Sequence, residues 1–444
     1  MPKVKAKKEK NQPGAKAVQT LRGFKDILPA EQPYWSYIRK LAESFAKGYG
    51  FSVIEPPILE EAGLFARAIG KQTDIVEKEM FSFVDQGEGA VVLRPEATAS
   101  IARAYITHGM VSLPQPVKLY YWGPMFRRER PQSGRQRQFH QFGFEILGDS
   151  SPVIDAQIIA LVHNFYQQIG LEQFSLQVNS LGCPNCRQIY VKELTNYYRS
   201  KRRLLCEDCK QRLAKNPLRL LDCKKPSCQF LKAEAPQIID WLDDDCKNHF
   251  MKVVEYLDEL NISYKLNPQL VRGLDYYTRT VFEVWPKEVK EGAQSALAGG
   301  GRYDGLIELL GGRDTPAAGA AIGVERTISQ LKQQEKQIPL ETAPDVFLAQ
   351  IGDQAKIKAL LLFEQLRQED IQAAENFAKD SLKIQLELAN KLKVKYALIL
   401  GQKEVMDGTI LIRDMESGVQ EVVDFKKTVL ELKKKLARLN GGAV

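Results

Sequence analysis

The chain has 444 residues, of which 27% are charged and 44% apolar, and its formal net charge is +8. At about 150 residues per domain this length predicts roughly three domains. The composition excludes a disordered chain, a collagen-like fibre and a disulfide miniprotein, and no apolar run reaches the ~18 residues that a membrane-spanning helix needs. The basic balance points toward a polyanionic partner such as nucleic acid, without saying where the charge sits.

Residues 1–20 hold six Lys and one Glu, with no aromatic residue and no apolar core. Such a segment buries too little to offset its ordering entropy, so it is expected to be a disordered basic arm. It lacks the continuous apolar stretch of a secretory signal. It is either a solvated tail or a non-specific grip on nucleic-acid phosphates.

Apolar positions at helical spacing (Tyr34, Tyr37, Ile38, Leu41, Phe45) predict a helix over 31–50, broken by Gly48 and Gly50. A short strand, FSVIEPP, ends at Pro56 and Pro57. Residues 78–84 and 89–94 read as a hairpin around Gln86–Gly87, and 117–126 and 138–147 as a second antiparallel pair joined by a polar, arginine-rich stretch. An amphipathic helix is expected over 152–169.

A cysteine-rich insertion follows over about 182–232. Cys183, Cys186, Cys206, Cys209, Cys223 and Cys228 fall in CPNC, CEDC and CKKPSC. The first four read C-x2-C-x19-C-x2-C and the last four C-x2-C-x13-C-x4-C. Either quartet closes a tetrahedral structural zinc site. The alternative is a packed insert of reduced thiols. Between 183 and 228 there are 12 Lys or Arg against 4 Asp or Glu, a net of +8.

Strands are expected near 278–284 and 295–299, then a Gly-rich turn and a helix over about 323–335. Pro339 and Pro344 bracket a linker. From 345 the pattern alternates: VFLAQIG as a buried strand, DSLKIQLELANKLK as a helix with Leu382, Leu386, Ala389 and Leu392 on one stripe, and YALILG as another strand. That alternation implies a small α/β domain.

The chemistry concentrates in a few segments. Arg127, Arg128, Arg130, Arg135 and Arg137 place five guanidinium groups on one hairpin loop, suited to a polyphosphate. Phe139, Phe142 and Phe144 alternate beyond it, so one face could stack a base. No P-loop motif is present. LRPEATAS offers Glu96 and Thr98, while Gln141 and Glu145 follow Phe139; the two glutamates suit a cationic substrate group. VRGLDYYTRTVFEV brings Arg272, Tyr276 and Tyr277 together, AGGGRYDGL permits close backbone approach, and GVER sets Arg326 at a helix start.

Taken in order, RGFKDILP, Pro56–Pro57, LRPEATAS, GPMFRRERPQSGRQRQFHQFGFEILG, LVRGLDYYTRTVFEV, AGGGRYDGL and GVER resemble the class II histidyl-tRNA synthetases of bacterial type. The resemblance covers about residues 21–335, and DSLKIQLELANKLKVKYALILG resembles the family's C-terminal domain. It implies an α+β fold: a class II antiparallel sheet flanked by helices, an inserted cysteine-rich helical module and a C-terminal α/β anticodon-binding domain. The expected division is a basic arm at 1–20, catalytic core at 21–181, insertion at 182–232, catalytic core at 233–338, linker at 339–344 and anticodon-binding domain at 345–444.

The resemblance also implies roles. Arg127 would bind the ATP α-phosphate, with Glu129 and Arg135 in the same nucleotide loop, Phe139 stacked on adenine, and Arg326 at the γ-phosphate and adenine. Glu96, Thr98 and Gln141 would surround the histidine α-amino group. Glu145 and Tyr277 would bond the imidazole, and Tyr276 would line that pocket. Arg272 would meet the carboxylate and α-phosphate. The implied reactants are ATP with Mg2+, L-histidine and tRNA(His); the implied assembly is a cytoplasmic homodimer, built on the helix and strand around 31–57, without a membrane. One structural Zn2+ is expected from four of the six cysteines, although six thiols are not general to the family. Two other readings compete. A histidine-sensing regulatory paralogue would lack the Arg272 equivalent and the C-terminal domain, and a nucleic-acid binder that merely keeps the fold would not retain Glu96, Arg127, Glu145, Arg272 and Arg326 together.

Overall fold

The computed structural model describes residues 18–87, 89–131, 134–287, 296–339 and 343–439. Most of the basic arm and residues 340–342 of the linker lie outside these. The chain forms two compact units that part between Ile338 and Pro339.

The first unit opens with α1 (Gln32–Gly48), whose Ile38, Ala42, Phe45 and Ala46 form the buried stripe. β1 (Ser52–Val53), β2 (Leu59–Glu61) and α2 (Ala62–Ala68) follow. β3 (Phe81–Asp85) and β4 (Gly89–Leu93) form the expected hairpin and make a small sheet with β2. α3 (Thr98–Thr107) then leads to β5 (Val117–Phe126) and β6 (Gln138–Leu147), paired antiparallel from Val117↔Leu147 to Phe126↔Gln138. Next come α4 (Pro152–Gln168) and β7 (Phe174–Ser180). The insertion holds α5 (Pro184–Ser200), α6 (Glu207–Lys215) and α7 (Pro226–Ala233). α8 (Asp244–Glu259), β8 (Tyr264–Leu266), β9 (Thr278–Pro286), β10 (Ala298–Arg302), α9 (Leu306–Leu309), β11 (Ala317–Gly323) and α10 (Val324–Gln333) complete the unit.

The main sheet has eight strands in the order β1-β5-β6-β11-β10-β9-β7-β8. It is antiparallel except at its edges, where β1 runs parallel to β5 and β8 to β7. Alternation along β6 sorts its side chains. Phe142, Phe144 and Ile146 join the helices α1, α4, α8 and α10 in one core. Phe139 belongs with the opposite core, which holds Tyr276, Tyr277, Tyr303 and the insertion. The expectation that Phe139, Phe142 and Phe144 share a base-stacking face is therefore corrected: a period of two sends Phe139 one way and the other two into the hydrocarbon core.

A second correction concerns the glycine run. The expected strand ending near residue 299 with a Gly-rich turn is instead β10, with Gly299, Gly300 and Gly301 inside it. Residues 291–295 lie outside the described set. β11, AAGAAIG, carried no strand signal, because alanine and glycine have low strand propensity. Its place is fixed by the neighbours: a Cβ at Gly300 would overlap the carbonyl of Gly319, and one at Gly301 the carbonyl of Thr280.

The loop after β6, α4 and β10 are locked by charge. Arg302 is fully buried. Its Nε donates to Asp155 Oδ1 at 2.9 Å, Nη1 to Asp149 O and Asp304 Oδ1, each at 3.0 Å, and Nη2 to Ser151 O at 3.0 Å. Arg302 Nη2 also lies 2.6 Å from Asp155 Oδ1. His249 Nε2 meets Asp155 Oδ2 at 2.7 Å, and Arg279 Nη1 lies 3.0 Å from His249 Nδ1. A guanidinium only donates, so Nδ1 accepts and Nε2–H donates to Asp155.

The second unit holds a five-stranded sheet in the order β13-β12-β14-β15-β16, comprising β12 (Val346–Gln350), β13 (Ala373–Glu375), β14 (Tyr396–Leu400), β15 (Thr409–Asp414) and β16 (Gln420–Asp424). α11 (Asp353–Gln368), α12 (Leu382–Lys391), α13 (Gln402–Asp407) and α14 (Thr428–Leu439) accompany it. On α12 the expected apolar stripe is only partly right. Ala389 is buried, whereas Leu392 is the C-cap and 36% exposed. The most buried side chain of the helix besides Ala389 is Gln385, which accepts from Gln350 N at 3.1 Å and donates to Gln350 O at 2.8 Å.

Removing one partner of a buried charge pair costs about 3–5 kcal/mol. Asp155→Ala should therefore lower the unfolding free energy of the first unit by that amount, while Asp155→Asn, whose one amide oxygen can still accept from Arg302, loses less. Equilibrium denaturation followed by tryptophan fluorescence checks the ranking.

Candidate active site

A cleft of about 1320 Å3 opens on the face of the sheet away from α4 and α8. Its wall includes Arg127, Glu129, Arg135, Phe139, Gln141, Arg272 and Arg326. They come from four segments: Arg127, Glu129 and Arg135 from the β5–β6 loop, Phe139 and Gln141 from β6, Arg272 from the loop before β9, and Arg326 from the start of α10.

The loop arginines divide. Arg127 Nε donates to Pro95 O at 2.9 Å, and its guanidinium lies 5.3 Å from the centre of the Phe139 ring. Arg135 Nη1 bonds Glu129 Oε2 at 2.9 Å, and Glu129 also lies 3.9 Å from Arg127. Arg326 Nη1 donates to Ala296 O at 2.8 Å and Nε to Gly134 O at 3.2 Å. Burial and the adjacent Arg127 guanidinium push the Arg326 guanidinium down to about 10, with Arg135 adding to the push and Glu129 only partly opposing it. Arg128, Arg130 and Arg137 do not line the cleft. Arg128 and Arg137 anchor the loop through backbone bonds to Glu79 O and Gly23 O. Of the five guanidinium groups read as one cluster, two reach the cleft.

Behind this wall lies a buried cluster of polar side chains, and its Glu96, Thr98, Glu145, Tyr276 and Tyr277 are not among the residues that line the cleft. Glu145 is 1% exposed, Glu96 4% and Thr98 8%. Glu96 accepts the backbone N–H of Thr98 at 2.7 Å and of Ala99 at 2.9 Å, so it caps the first turn of α3. Thr98 Oγ1 donates to Glu145 Oε1 at 2.7 Å, and Tyr303 OH donates to Glu145 Oε2. Tyr276 OH reaches Glu96 Oε2 at 3.4 Å. Burial raises the Glu145 carboxyl from 4.5 to about 8, against the lowering effect of Tyr303 and Thr98, and burial also raises Glu96. Arg272 joins the two regions. It lies 5.4 Å over the Tyr277 ring, pairs with Glu283, and has a buried Nε–H with no partner among the described residues.

Two glycines make room for these groups. Gly319 pairs with Glu145 across β11–β6, and a Cβ there would stand within the carboxylate. A Cβ at Gly299 would strike the Arg272 guanidinium. The three-glycine segment thus does admit close approach, but of the protein's own side chains.

Sequence reasoning missed four participants. Tyr303 lies inside AGGGRYDGL but was not singled out, and Glu283 lies inside VFEV. Arg94 is buried and donates to Pro56 O at 2.6 Å and Pro124 O at 3.0 Å, tying the segment carrying Glu96 to β5. Arg187, on α5, donates to the carbonyls of Asp275 at 3.1 Å and of Tyr277. Only adjacency to a motif marked the first three, and nothing marked Arg187.

The insertion docks beside the cleft. Arg212 and Arg219 pair with Asp74 at 3.2 and 2.9 Å, and Lys215 with Glu77 at 2.9 Å. Its cysteines do not form one cluster. Cys206, Cys209, Cys223 and Cys228 bring their sulfurs within 4.8 Å of one another, so the second of the two quartets is the one assembled. Cys183 and Cys186 lie in a different group.

A profile of the family described as "Histidyl-tRNA synthetase" matches residues 23–327, and one described as "Anticodon binding domain" matches 345–435. The "Histidine--tRNA ligase" of Desulforamulus reducens is 45% identical over 412 residues, covering 93% of this chain and 98% of that one. Its namesake from Pelotomaculum thermopropionicum is 46% identical over 415 residues, covering 94% and 97%. The crystal structure of apo histidyl-tRNA synthetase from S. aureus superposes with a TM-score of 0.79 at 35% identity, covering 94% of this chain and all of that one. With both profiles in chain order and relatives of this similarity across nearly its whole length, the chain belongs to the histidyl-tRNA synthetase family.

Proposed function

We propose that this chain activates L-histidine with ATP to histidyl-adenylate and pyrophosphate, then transfers histidine to the 3′-terminal ribose of tRNA(His). The observation that carries this reading is the crowding of Arg127, Arg135 and Arg326 in one cleft with Arg272, whose guanidinium lies over the Tyr277 ring beside the buried Glu96–Glu145 cluster. A guanidinium depressed by burial and by a neighbouring guanidinium, as Arg326 is, calls for a polyanion, and buried carboxyl groups near it call for a cationic or hydrogen-bonding substrate.

In this reading Arg127 holds the α-phosphate, Phe139 stacks on adenine, Glu129 and Arg135 order the nucleotide loop, and Arg326 meets the γ-phosphate. The unpartnered Nε–H of Arg272 supports a place at the substrate carboxylate and α-phosphate. Glu96, Thr98 and Gln141 receive the α-amino group. Glu145 and Tyr277, with Tyr276 beside them, receive the imidazole, and we add Tyr303 as the residue that orients Glu145. The nucleophile is the substrate carboxylate, so the protein's work is to bring two anions together and stabilise charge at phosphorus. A pocket whose buried polar groups need imidazole as partner rejects analogues lacking it by about 10⁴–10⁵.

Magnesium would take oxygen donors from Glu79 and Glu129, the carboxylates that line the cleft beside Arg127, together with the ATP phosphates. When bound with ATP it neutralises phosphate charge. Cys206, Cys209, Cys223 and Cys228 would hold one structural zinc, which folds the insertion. Lys224 and Lys232 of the insertion also line the cleft and suit the tRNA acceptor stem. A homodimer is supported by the exposed Val53, Ile58 and Leu59 beside edge strand β1. Among the described residues no helix is long and apolar enough to cross a membrane; we place the enzyme in the cytoplasm. The C-terminal domain and Arg272 together disfavour the regulatory paralogue.

ATP–pyrophosphate exchange tested with each amino acid should respond to histidine alone. Silence with histidine from a folded, metal-replete sample would overturn the activity. Arg272→Ala should lower exchange at least ~10²-fold with ATP binding largely kept; an equal loss of ATP binding would move Arg272 to the nucleotide. Glu145 gives a pH test. Its folded value of about 8 lies above its ordinary 4.5, so the folded state keeps a proton that the unfolded chain releases. Stability should therefore fall as pH rises through this window, by up to about 1.4 kcal/mol per pH unit. Glu145→Gln should remove that slope, read as melting temperature against pH for the two proteins without ligand.

A further inference from the structure

We propose a second metal centre, at Cys183, Cys186, Asp243 and Cys246, that binds one zinc ion and fastens the root of the insertion to the catalytic core. The four ligand atoms all lie within 4.8 Å of one another. Cys183 Sγ is 3.6 Å from Cys186 Sγ, and Asp243 Oδ2 is 3.2 and 3.0 Å from those two sulfurs. Zinc–sulfur bonds of about 2.3 Å in a tetrahedron put neighbouring sulfurs roughly 3.8 Å apart, and a zinc–oxygen edge is shorter. The spacing is therefore that of ligands around a common ion.

The surroundings are those of a metal-thiolate site. Cys183-Pro-Asn-Cys186 spans the start of α5, and Asp243-Asp-Asp-Cys246 spans the start of α8, so each pair offers two ligands one helical turn apart. Backbone N–H groups point at each sulfur. Cys186 N donates to Cys183 Sγ at 3.5 Å, Asp243 N to Cys186 Sγ at 3.1 Å, and Cys183 N to Cys246 Sγ at 3.2 Å. Asp243 Oδ1 takes the N–H of Cys246 at 2.8 Å, which orients the carboxylate and leaves Oδ2 toward the sulfurs. Such second contacts fix ligands and offset thiolate charge. Three thiolates and one carboxylate suit zinc, which takes both sulfur and oxygen.

The location gives the site its role. Cys183 and Asp243 are 60 residues apart, one where the chain enters the insertion and the other after it has returned. An ion bridging them closes that long loop. The residue after Cys186, Arg187, donates to the carbonyls of Asp275 and Tyr277, and His249, one turn beyond Cys246, holds Asp155. The centre therefore joins the Tyr277 segment to the buried Asp155 network. It is separate from the Cys206 cluster and independent of the proposed ligase activity.

The test is the metal content of the full chain, purified from zinc-supplemented cells and measured by inductively coupled plasma mass spectrometry. Two zinc ions per chain are expected, falling to one in Cys246→Ser and, independently, to one in Cys209→Ser. X-ray absorption of the parent should find on average about 3.5 sulfur ligands per zinc, from seven thiolates and one carboxylate around two ions. Asp243→Cys should keep two ions and raise that average to about four; this folded variant reads the site even where a serine variant fails to fold. A parent with no zinc, or one whose single zinc survives Cys246→Ser and is lost from Cys209→Ser, overturns the proposal. A sulfur average that Asp243→Cys leaves unchanged removes Asp243 from the ligand set.

Discussion

The site rests on the register of one antiparallel ladder, β6–β11–β10–β9. Adjacent strands lie only about 4.8 Å apart, so a bulky side chain lying over the sheet needs a vacant position beside it. The ladder supplies glycine at those positions: Gly319 opposite Glu145, and Gly299 opposite Glu283 beneath Arg272. A slip of one residue would turn β6 over. Phe142, Phe144 and Ile146 would then face the cleft, and Glu145 would face the hydrocarbon between the sheet and α4. Register, more than any single contact, holds the carboxylates and the guanidinium in one place.

Charge is managed differently on the two faces of that sheet. On the helical side the buried charges are matched within the chain, with every donor of Arg302 answered and Asp155 shared between Arg302 and His249. On the cleft side they are left uneven. Arg127, Arg135 and Arg326 have Glu129 nearby, and burial leaves Glu145 protonated near neutral pH. The first arrangement makes rigidity and the second leaves interaction energy for a ligand. The insertion follows both patterns. Arg212, Lys215 and Arg219 are consumed in docking on Asp74 and Glu77, so part of its positive charge is structural.

Legibility in the sequence followed periodicity. The β5–β6 pair was readable because its apolar residues alternate between arginine-rich punctuation, and α1 and α4 because their apolar stripes are wide. β10 and β11 were not, because glycine and alanine have no strand preference of their own; they are strands because their neighbours leave no room for a side chain. The same blindness hid Tyr303. Its segment was read for its glycines, and its hydroxyl matters only once Glu145 lies beside it.

The amino-acid sequence by itself determined the family and marked the segments that hold the loop arginines, the buried glutamates and the cysteines, since these are local matters of composition and spacing. Only the tertiary structure decided which of five loop arginines reach the cleft, which cysteines share a cluster, and that Asp243 and Cys246 stand beside Cys183 and Cys186. Those outcomes depend on contacts between residues far apart in the chain. Cysteine spacing fixes which pairs can chelate, but which two pairs meet is set by where the helices that carry them are packed.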